Sequence, residues 1–315
     1  MSVDRSAPAE SARWDPEVLA RVAWLQLRAR QAVLGLVHGA HRSIHVSSDV
    51  EFADYKEYSP GDPLRDVDWK VAARSDRLVV RRHQAASDLP SVLLFDASGD
   101  MGTGARSRYA RPPLEGSKFG ASVTLAATLA WFLSHAGEPV GLGIIAGEDP
   151  SMGPGAGPRW PWIPPRGGRA HLAQILAQLA SLRPAGQARL GTAFQELGQR
   201  FQRRSLVVLV SDLMEDPASW GPSLTALGRR QVDLRVVQPY DPQEWALDYR
   251  ESVRFQSPEG GAALPLDPVG ARAMMGEVVG EYLAEVRGWL ARNQALHVLT
   301  PTDAPLEQAL SLIHI

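Results

Sequence analysis

The sequence predicts an α/β protein built on a doubly wound, mostly parallel sheet with helices on both faces. From residue 90 onward, short apolar runs of strand length alternate with longer segments whose apolar residues recur at helical spacing. Such alternation gives parallel strands joined by right-handed helical crossovers, which cover both faces of the sheet. Because ligands of such sheets bind outside the carboxyl ends of the strands, that edge is where we expect the functional residues.

Local patterns place the individual elements of this region. The predicted strands are the apolar runs 91–95, 139–145, 205–210, 232–237 and 296–299. Helical spacing or a capping signal predicts the helices 117–133, 172–179, 194–201, one from 216 onward, 274–290 and 306–312. Residues 146–168 are rich in Pro and Gly, which indicates a long exposed loop or a short strand with wide turns.

The chain before residue 89 has a different character. Residues 1–13 are polar and are predicted to form a disordered tail. Residues 14–88 are predicted to form a helix and a small β-containing segment, and residues 89–315 the main domain. The helix begins at Asp15-Pro16, a capping residue followed by proline, and extends to about residue 37. Short β-like pieces at 43–46 and 77–80 flank a charged block that is too polar to bury a core alone.

Composition excludes several classes of function. The 315 residues include no cysteine, so disulfides, thiolate nucleophiles, cysteine-ligated zinc and iron–sulfur clusters are excluded. A formal net charge of −2 argues against a protein that coats nucleic acid. No stretch approaches the roughly 18 apolar residues of a membrane span, and the N-terminus does not resemble a signal peptide. We therefore expect a cytoplasmic protein.

Oxygen-bearing side chains cluster at the predicted strand ends. Asp96 ends the first strand and is followed by Ser98 and Asp100, Asp212 follows the strand 205–210, and Thr192 precedes a helix. Hard cations such as Mg²⁺, Mn²⁺ or Ca²⁺ prefer such ligands. Without a cation, each like-charge pair at ~4 Å costs about 4 kcal/mol at an effective dielectric near 20. The pattern therefore predicts a divalent-metal site, although aspartates at strand ends also serve simply as helix caps.

These residues resemble a known pattern, the metal-ion-dependent adhesion site of von Willebrand factor A domains. That site combines Asp-x-Ser-x-Ser with a separate Thr and a separate Asp. The preceding block resembles the more specific signature of the bacterial domain-of-unknown-function-58 (DUF58) family. The matching positions are Glu51, Phe52, Tyr58, Pro60, Gly61, Asp62, Arg65, Asp68, Trp69, Ala73 and Arg74. The resemblance spans roughly residues 15–300. It implies a von Willebrand factor A fold, no established enzymatic activity, and frequent genetic association with MoxR-type AAA+ ATPases.

Asp100 departs from the adhesion-site pattern, in which this position is serine. In one version Asp100 ligates the metal, neutralises it and leaves it a purely structural ion. In the other, Asp100 points away and the metal still attracts a carboxylate of a partner. Both versions remain open from the sequence.

The predicted function is therefore a non-enzymatic protein–protein interaction module with a divalent metal, acting as an adaptor for a MoxR-type AAA+ ATPase. Two alternatives are a hydrolase or phosphoesterase that uses Asp96, Asp100 and Asp212 around a metal, and a scaffold that binds no metal.

Overall fold

The computed structural model describes residues 22–24, 26–29, 32, 55–57, 79–81, 90–103, 117–145, 161–201, 204–230, 232–247, 253–255, 264–266 and 268–313. Within the predicted N-terminal helix, all described residues are helical. The predicted tail 1–13, the β-like piece 43–46 and all the family-motif positions from Glu51 to Arg74 lie outside the described residues.

Ten strands are described, in one six-stranded sheet and two small antiparallel pairs. In chain order they are β1 (Tyr55–Glu57), β2 (Val79–Arg81), β3 (Ser91–Asp96), β4 (Val140–Ile145), β5 (Trp162–Arg166), β6 (Ser205–Val210), β7 (Val232–Tyr240), β8 (Val253–Phe255), β9 (Leu264–Leu266) and β10 (Leu296–Pro301). The large sheet has the order β10-β7-β6-β3-β4-β5, and every neighbouring pair is parallel except β4 with β5. The doubly wound, mostly parallel sheet predicted from the sequence is confirmed.

Helices cover both faces of this sheet. They are α1 (Lys118–His135), α2 (Arg169–Ser181), α3 (Leu190–Arg200), α4 (Pro217–Gly228), α5 (Pro242–Ala246), α6 (Pro268–Arg292) and α7 (Leu306–Ile313). Among the described helices, none is long and apolar enough to cross a bilayer.

The two hydrophobic cores follow from the alternation of side chains along the strands. Leu93 and Phe95 of β3 pack with residues of α1, α2 and α7 on one face. Val92 and Leu94 of the same strand pack with residues of α3, α4 and α6 on the other face. Because β3 is buried on both faces, its sequence is a continuous apolar run, as parallel central strands require.

Capping residues start two of the helices that flank the functional edge. The Ser117 side chain accepts a hydrogen bond from Gly120 N at 3.0 Å and begins α1. Asp216 accepts one from Ala218 N at 2.9 Å and begins α4, with Pro217 at the first helical position. Both starts agree with the sequence prediction, because Ser and Asp satisfy the free N–H groups of a first turn.

The structure also differs from the sequence prediction in places. In the segment 146–168, residues 146–160 lie outside the described residues, and Trp162–Arg166 form the short strand β5 at the antiparallel edge, where its prolines are tolerated. Strand β7 continues three residues beyond the predicted end at Val237. The short helix α5 and the strands β1, β8 and β9 were not predicted, because elements of three to five residues carry too little periodicity.

Candidate functional site

The predicted site lies where the strand order of the sheet reverses. Strand β3 pairs with β4 on one side and β6 on the other, so the chain leaves these neighbouring carboxyl ends in opposite directions. Asp96 is the last residue of β3, and Asp212 lies just beyond β6. Both are buried, with 0% and 4% of their surface exposed. The topology therefore brings two carboxylates from distant parts of the chain together at the expected edge.

Hydrogen bonds from the protein occupy both oxygens of Asp96. Oδ1 accepts from Ser98 N at 2.9 Å, and Oδ2 accepts from the Ser211 hydroxyl at 2.5 Å. The same hydroxyl accepts from Leu213 N at 3.0 Å. Burial, followed by the charge of Asp212, raises the pKa of Asp96 to about 7. Asp96 thus joins the loop after β3 to the loop after β6.

A buried lysine lies against the second carboxylate. Lys118 Nζ is 2.9 Å from Asp212 Oδ2 and 3.4 Å from Glu244 Oε2, and only 5% of the residue is exposed. Burial lowers the pKa of Lys118, but Asp212 and Glu244 together outweigh it, so the pKa is raised and the ammonium stays charged. Lysine at the first residue of a helix opposes the helix dipole, and these carboxylates offset that unfavourable position.

A second polar network fixes the backbone of the Asp212 loop. Gln238 Nε2 donates to Asp212 O at 2.9 Å, and the Tyr282 hydroxyl donates to Leu213 O at 2.7 Å. His297 Nε2 lies 2.8 Å from Gln238 Oε1, which makes the imidazole the donor. Leu213 has a positive φ of 58°, an uncommon conformation for a branched residue. Strands β7 and β10 and helix α6 therefore hold this loop in one shape.

The structure brings together some of the predicted metal ligands but not all. Asp96, Ser98 and Asp212 are all buried at the strand-order reversal. Asp100 is half-buried in a turn of 3₁₀ helix, where burial and then the charge of Asp212 raise its pKa, while Lys118 lowers it. Thr192 is not buried with them: it is exposed in the first turn of α3 and lines a surface groove with other exposed or half-exposed side chains of that helix.

Glu215 orders the start of α3, next to Thr192. Its Oε2 accepts from Leu190 N at 2.7 Å, and its Oε1 accepts from the Ser219 hydroxyl at 2.7 Å. The carboxylate of a neighbouring loop thereby caps a helix that has no side-chain cap of its own.

As folded, the donor set does not fit a divalent cation. The Lys118 ammonium, 2.9 Å from Asp212 Oδ2, already places a positive charge in the cluster that would repel a second cation, and the protein donates hydrogen bonds to both Asp96 oxygens. Among the described residues, no three His, Asp or Glu side chains are grouped as a metal site. The magnesium, manganese or calcium ion implied by the sequence pattern therefore stays a prediction.

Sequence reasoning missed Lys118, Ser211 and Glu244 as members of this site. A lysine at the first position of an otherwise apolar helix was the available signal, because that position favours acidic residues. Ser211 and Glu244 gave no local signal, since their roles depend on contacts with residues far away in the chain.

Comparison with known proteins places the chain among sequences of unknown role. The family model described as protein of unknown function DUF58 matches residues 54–275. Uncharacterized proteins of Mycobacterium tuberculosis and Mycobacterium bovis are 27% identical over 259 residues, covering 81% of this chain and 75% of each relative.

Solved structures similar to this one include BatB from Bacteroides thetaiotaomicron, with a TM-score of 0.41, 15% identity, and coverage of 71% of this chain and 95% of that one. The SpRpn10 VWA domain gives a TM-score of 0.38 at 12% identity, covering 71% and 93%. A von Willebrand factor type A protein from Catenulispora acidiphila gives 0.33 at 14% identity, covering 62% and 43%.

Proposed function

The chain belongs to the DUF58 family, whose model is described as a protein of unknown function. We propose that it is a non-enzymatic protein-interaction module, because its polar cluster is buried beneath loops that carry exposed side chains. The observation that carries the proposal is the burial of a charge-compensated cluster at the strand-order reversal. Such a cluster orders the surrounding loops, and ordered loops on a rigid sheet are the usual place for binding surfaces.

Burial of the cluster speaks for binding rather than catalysis. Asp96, Ser98 and Ser211 each expose 1% of their surface or less. A general base or nucleophile must come within hydrogen-bond reach of its substrate, and these side chains are covered. The hydrolase alternative around Asp96, Asp100 and Asp212 is therefore the less favoured one.

The surface proposed to meet the partner consists of side chains on the ordered loops and on the first turn of α3. We call it the edge surface and define it by Asp100, Gln187, Thr192 and Met214. The loops that carry it are tied together, because Gly99 N donates to Gly186 O at 2.9 Å and Leu190 N donates to Glu215. Met214 leaves 56% of its surface exposed, so a large apolar side chain faces solvent at this edge. Methionine is enriched in protein interfaces, so Met214 is the proposed anchor.

The proposed partner is a MoxR-type AAA+ ATPase. This part of the proposal is supported by the genetic association that the DUF58 resemblance implies. The chain would act as the adaptor, and nucleotide hydrolysis would belong to the partner.

A second version of the same proposal keeps a divalent cation at the edge. Asp96, Ser98 and Asp212 would hold it, with Asp100 either as a further ligand or turned away. This version requires Lys118 to leave Asp212, because the ammonium now occupies that carboxylate.

A co-purification with matched variants tests the interaction. The tagged chain is incubated with the MoxR-type ATPase of its own genome, in the presence of a non-hydrolysable ATP analogue. We expect Met214→Glu to weaken binding at least tenfold, about 1.4 kcal/mol, since it places a charge at the proposed anchor. Met274→Glu is the control, because Met274 is an equally apolar methionine, 67% exposed, on α6. Failure to recover the ATPase, or equal binding by both variants, would refute the proposal.

A further inference from the structure

The buried carboxylates of the cluster have a positively charged side chain, Lys118, beside them. We infer that the Lys118 ammonium is the resident cation of this edge, so that the Asp96–Asp212 cluster holds its loops together without a divalent metal. The inference deepens the proposed function and rests on it only in part, because it concerns how the binding edge is ordered rather than which partner it meets.

Lys118 is placed as a counter-ion to two carboxylates at once. Its Nζ lies 2.9 Å from Asp212 Oδ2 and 3.4 Å from Glu244 Oε2, the first from the β6 loop and the second from α5. Asp212 is 4% exposed and Lys118 5%. A buried carboxylate without a partner is strongly unfavourable, and an ammonium at hydrogen-bond distance removes most of that penalty. The Lys118 ammonium therefore neutralises the negative charge for which the sequence pattern predicted a metal ion.

The ammonium is delivered by a rigid element. Lys118 is the first residue of α1, directly after its Ser117 cap. The next residue, Phe119, is 1% exposed and packs edge-on against Phe95 of β3, with ring centroids 5.6 Å apart. The base of the lysine side chain is thus fixed against the sheet, and its amine reaches the carboxylates from a position set by the fold.

A divalent ion and this ammonium exclude each other. Mg²⁺ requires close oxygen ligands in near-octahedral geometry, whereas the cation now next to Asp212 Oδ2 is the Lys118 ammonium, 2.9 Å away. A metal at that oxygen would also place a double positive charge beside the ammonium. Thr192, a further ligand in the predicted set, lies on the exposed face of α3. The lysine therefore replaces the metal rather than supporting it.

The test compares thermal unfolding of the full chain in EDTA, in Mg²⁺ and in Mn²⁺ at millimolar concentration. Wild type is expected to unfold at the same temperature, within about 1 °C, in all three solutions. Lys118→Met is expected to unfold several degrees lower in EDTA and to recover part of that loss with Mg²⁺ or Mn²⁺, because Asp212 then accepts the metal. Arg200→Met serves as the control, since it removes the half-exposed ion pair with Glu196 and should give no metal response.

A double variant keeps the test decisive if Lys118→Met alone does not fold. Lys118→Met combined with Asp212→Asn removes both charges, so it should be more stable than Lys118→Met and should not respond to metal. Stabilisation of wild type by Mg²⁺ or Mn²⁺ that is lost in Asp96→Ala would overturn the inference. Equal stability of Lys118→Met and wild type in EDTA would overturn it as well. Binding of the ATPase by wild type in EDTA is measured separately. If wild type does not bind the ATPase but its unfolding temperature is unaffected by metal, only the proposed function is rejected.

Discussion

At the scale of single residues, the most unusual group is a carboxylate that is fully buried beside another carboxylate. Asp96 is 0% exposed, and its pKa is raised to about 7 by burial and by Asp212. Its hydrogen bonds to Ser98 N and the Ser211 hydroxyl favour the ionised form but do not cancel the shift. A residue that opposes stability in this way is typical of a site kept for function.

Asp96→Asn is therefore expected to stabilise the isolated chain at neutral pH. The folded pKa lies above the unfolded value of 3.8, so the folded state binds the extra proton and wild-type stability falls as pH rises from about 4 to 7. Asparagine lacks this dependence and keeps an oxygen for Ser98 N and an amide donor for Ser211. The gain should reach about 1–4 kcal/mol above pH 7.

Urea unfolding at pH 5 and pH 8 in EDTA checks this expectation. The difference between variant and wild type should be larger at pH 8. A variant that is less stable than wild type at both pH values would show that the carboxylate is needed to hold the two loops together.

At the scale of elements, the packing of α4 on α6 depends on a single missing side chain. A Cβ added at Gly221 would lie 2.5 Å from Trp289 Cδ2, so the indole of α6 rests directly on the backbone of α4. Trp220, the neighbouring residue, is 0% exposed and packs edge-on against Phe194 of α3. The glycine therefore sets the distance between helices that cover the second face of the sheet.

Gly221→Ala is expected to destabilise the fold by about 1–3 kcal/mol, because overpacking forces the rigid indole or the helix to move. Gly280→Ala is the matched control. It lies inside α6 with nothing within 4 Å of the added methyl, so it should raise helix stability by up to about 1 kcal/mol. Chemical denaturation of both variants measures the contrast, and a neutral Gly221→Ala would mean that Trp289 has room to turn away.

The elements also show what the sequence could predict. Strands β3 and β6 are buried on both faces along their whole length, so their apolar runs identified them without ambiguity. The position of Asp96 and Asp212 at a shared edge followed from the general rule for doubly wound sheets. The partners of those aspartates did not, since Lys118 lies 94 residues from Asp212 and Ser211 lies 115 residues from Asp96. Thr192 illustrates the same limit. It was predicted as a metal ligand, but it lies in the first turn of α3, and its exposed position there could not be read from the sequence.

At the scale of the whole molecule, groups with opposite pH responses act on the same loop. Asp96 lowers stability as pH rises toward 7, whereas His297 acts in the other direction. Burial, followed by the charge of Arg287, lowers the pKa of His297 to about 4. Its imidazole donates to Gln238, which in turn donates to Asp212 O, so β10 is connected to the loop through neutral hydrogen bonds. Global stability should consequently change little between pH 5 and 7, although two of its contributions change considerably.

His297→Gln separates these contributions. The folded pKa of His297 is below its unfolded value of 6.5, so the unfolded state takes up the proton first. The stability contributed by the neutral imidazole is complete above pH 6.5 and is lost as pH falls toward 4. Glutamine supplies a side-chain N–H for Gln238 Oε1 and does not titrate. The melting temperature of the variant should therefore lack the acid-dependent loss that His297 contributes in wild type. Melting temperatures measured from pH 7.5 to pH 4.5 should diverge below pH 6.5: wild type should stay nearly level, whereas the variant should become more stable because nothing then offsets the Asp96 contribution. Parallel curves would place His297 in contact with solvent and remove it from the network that holds the Asp212 loop.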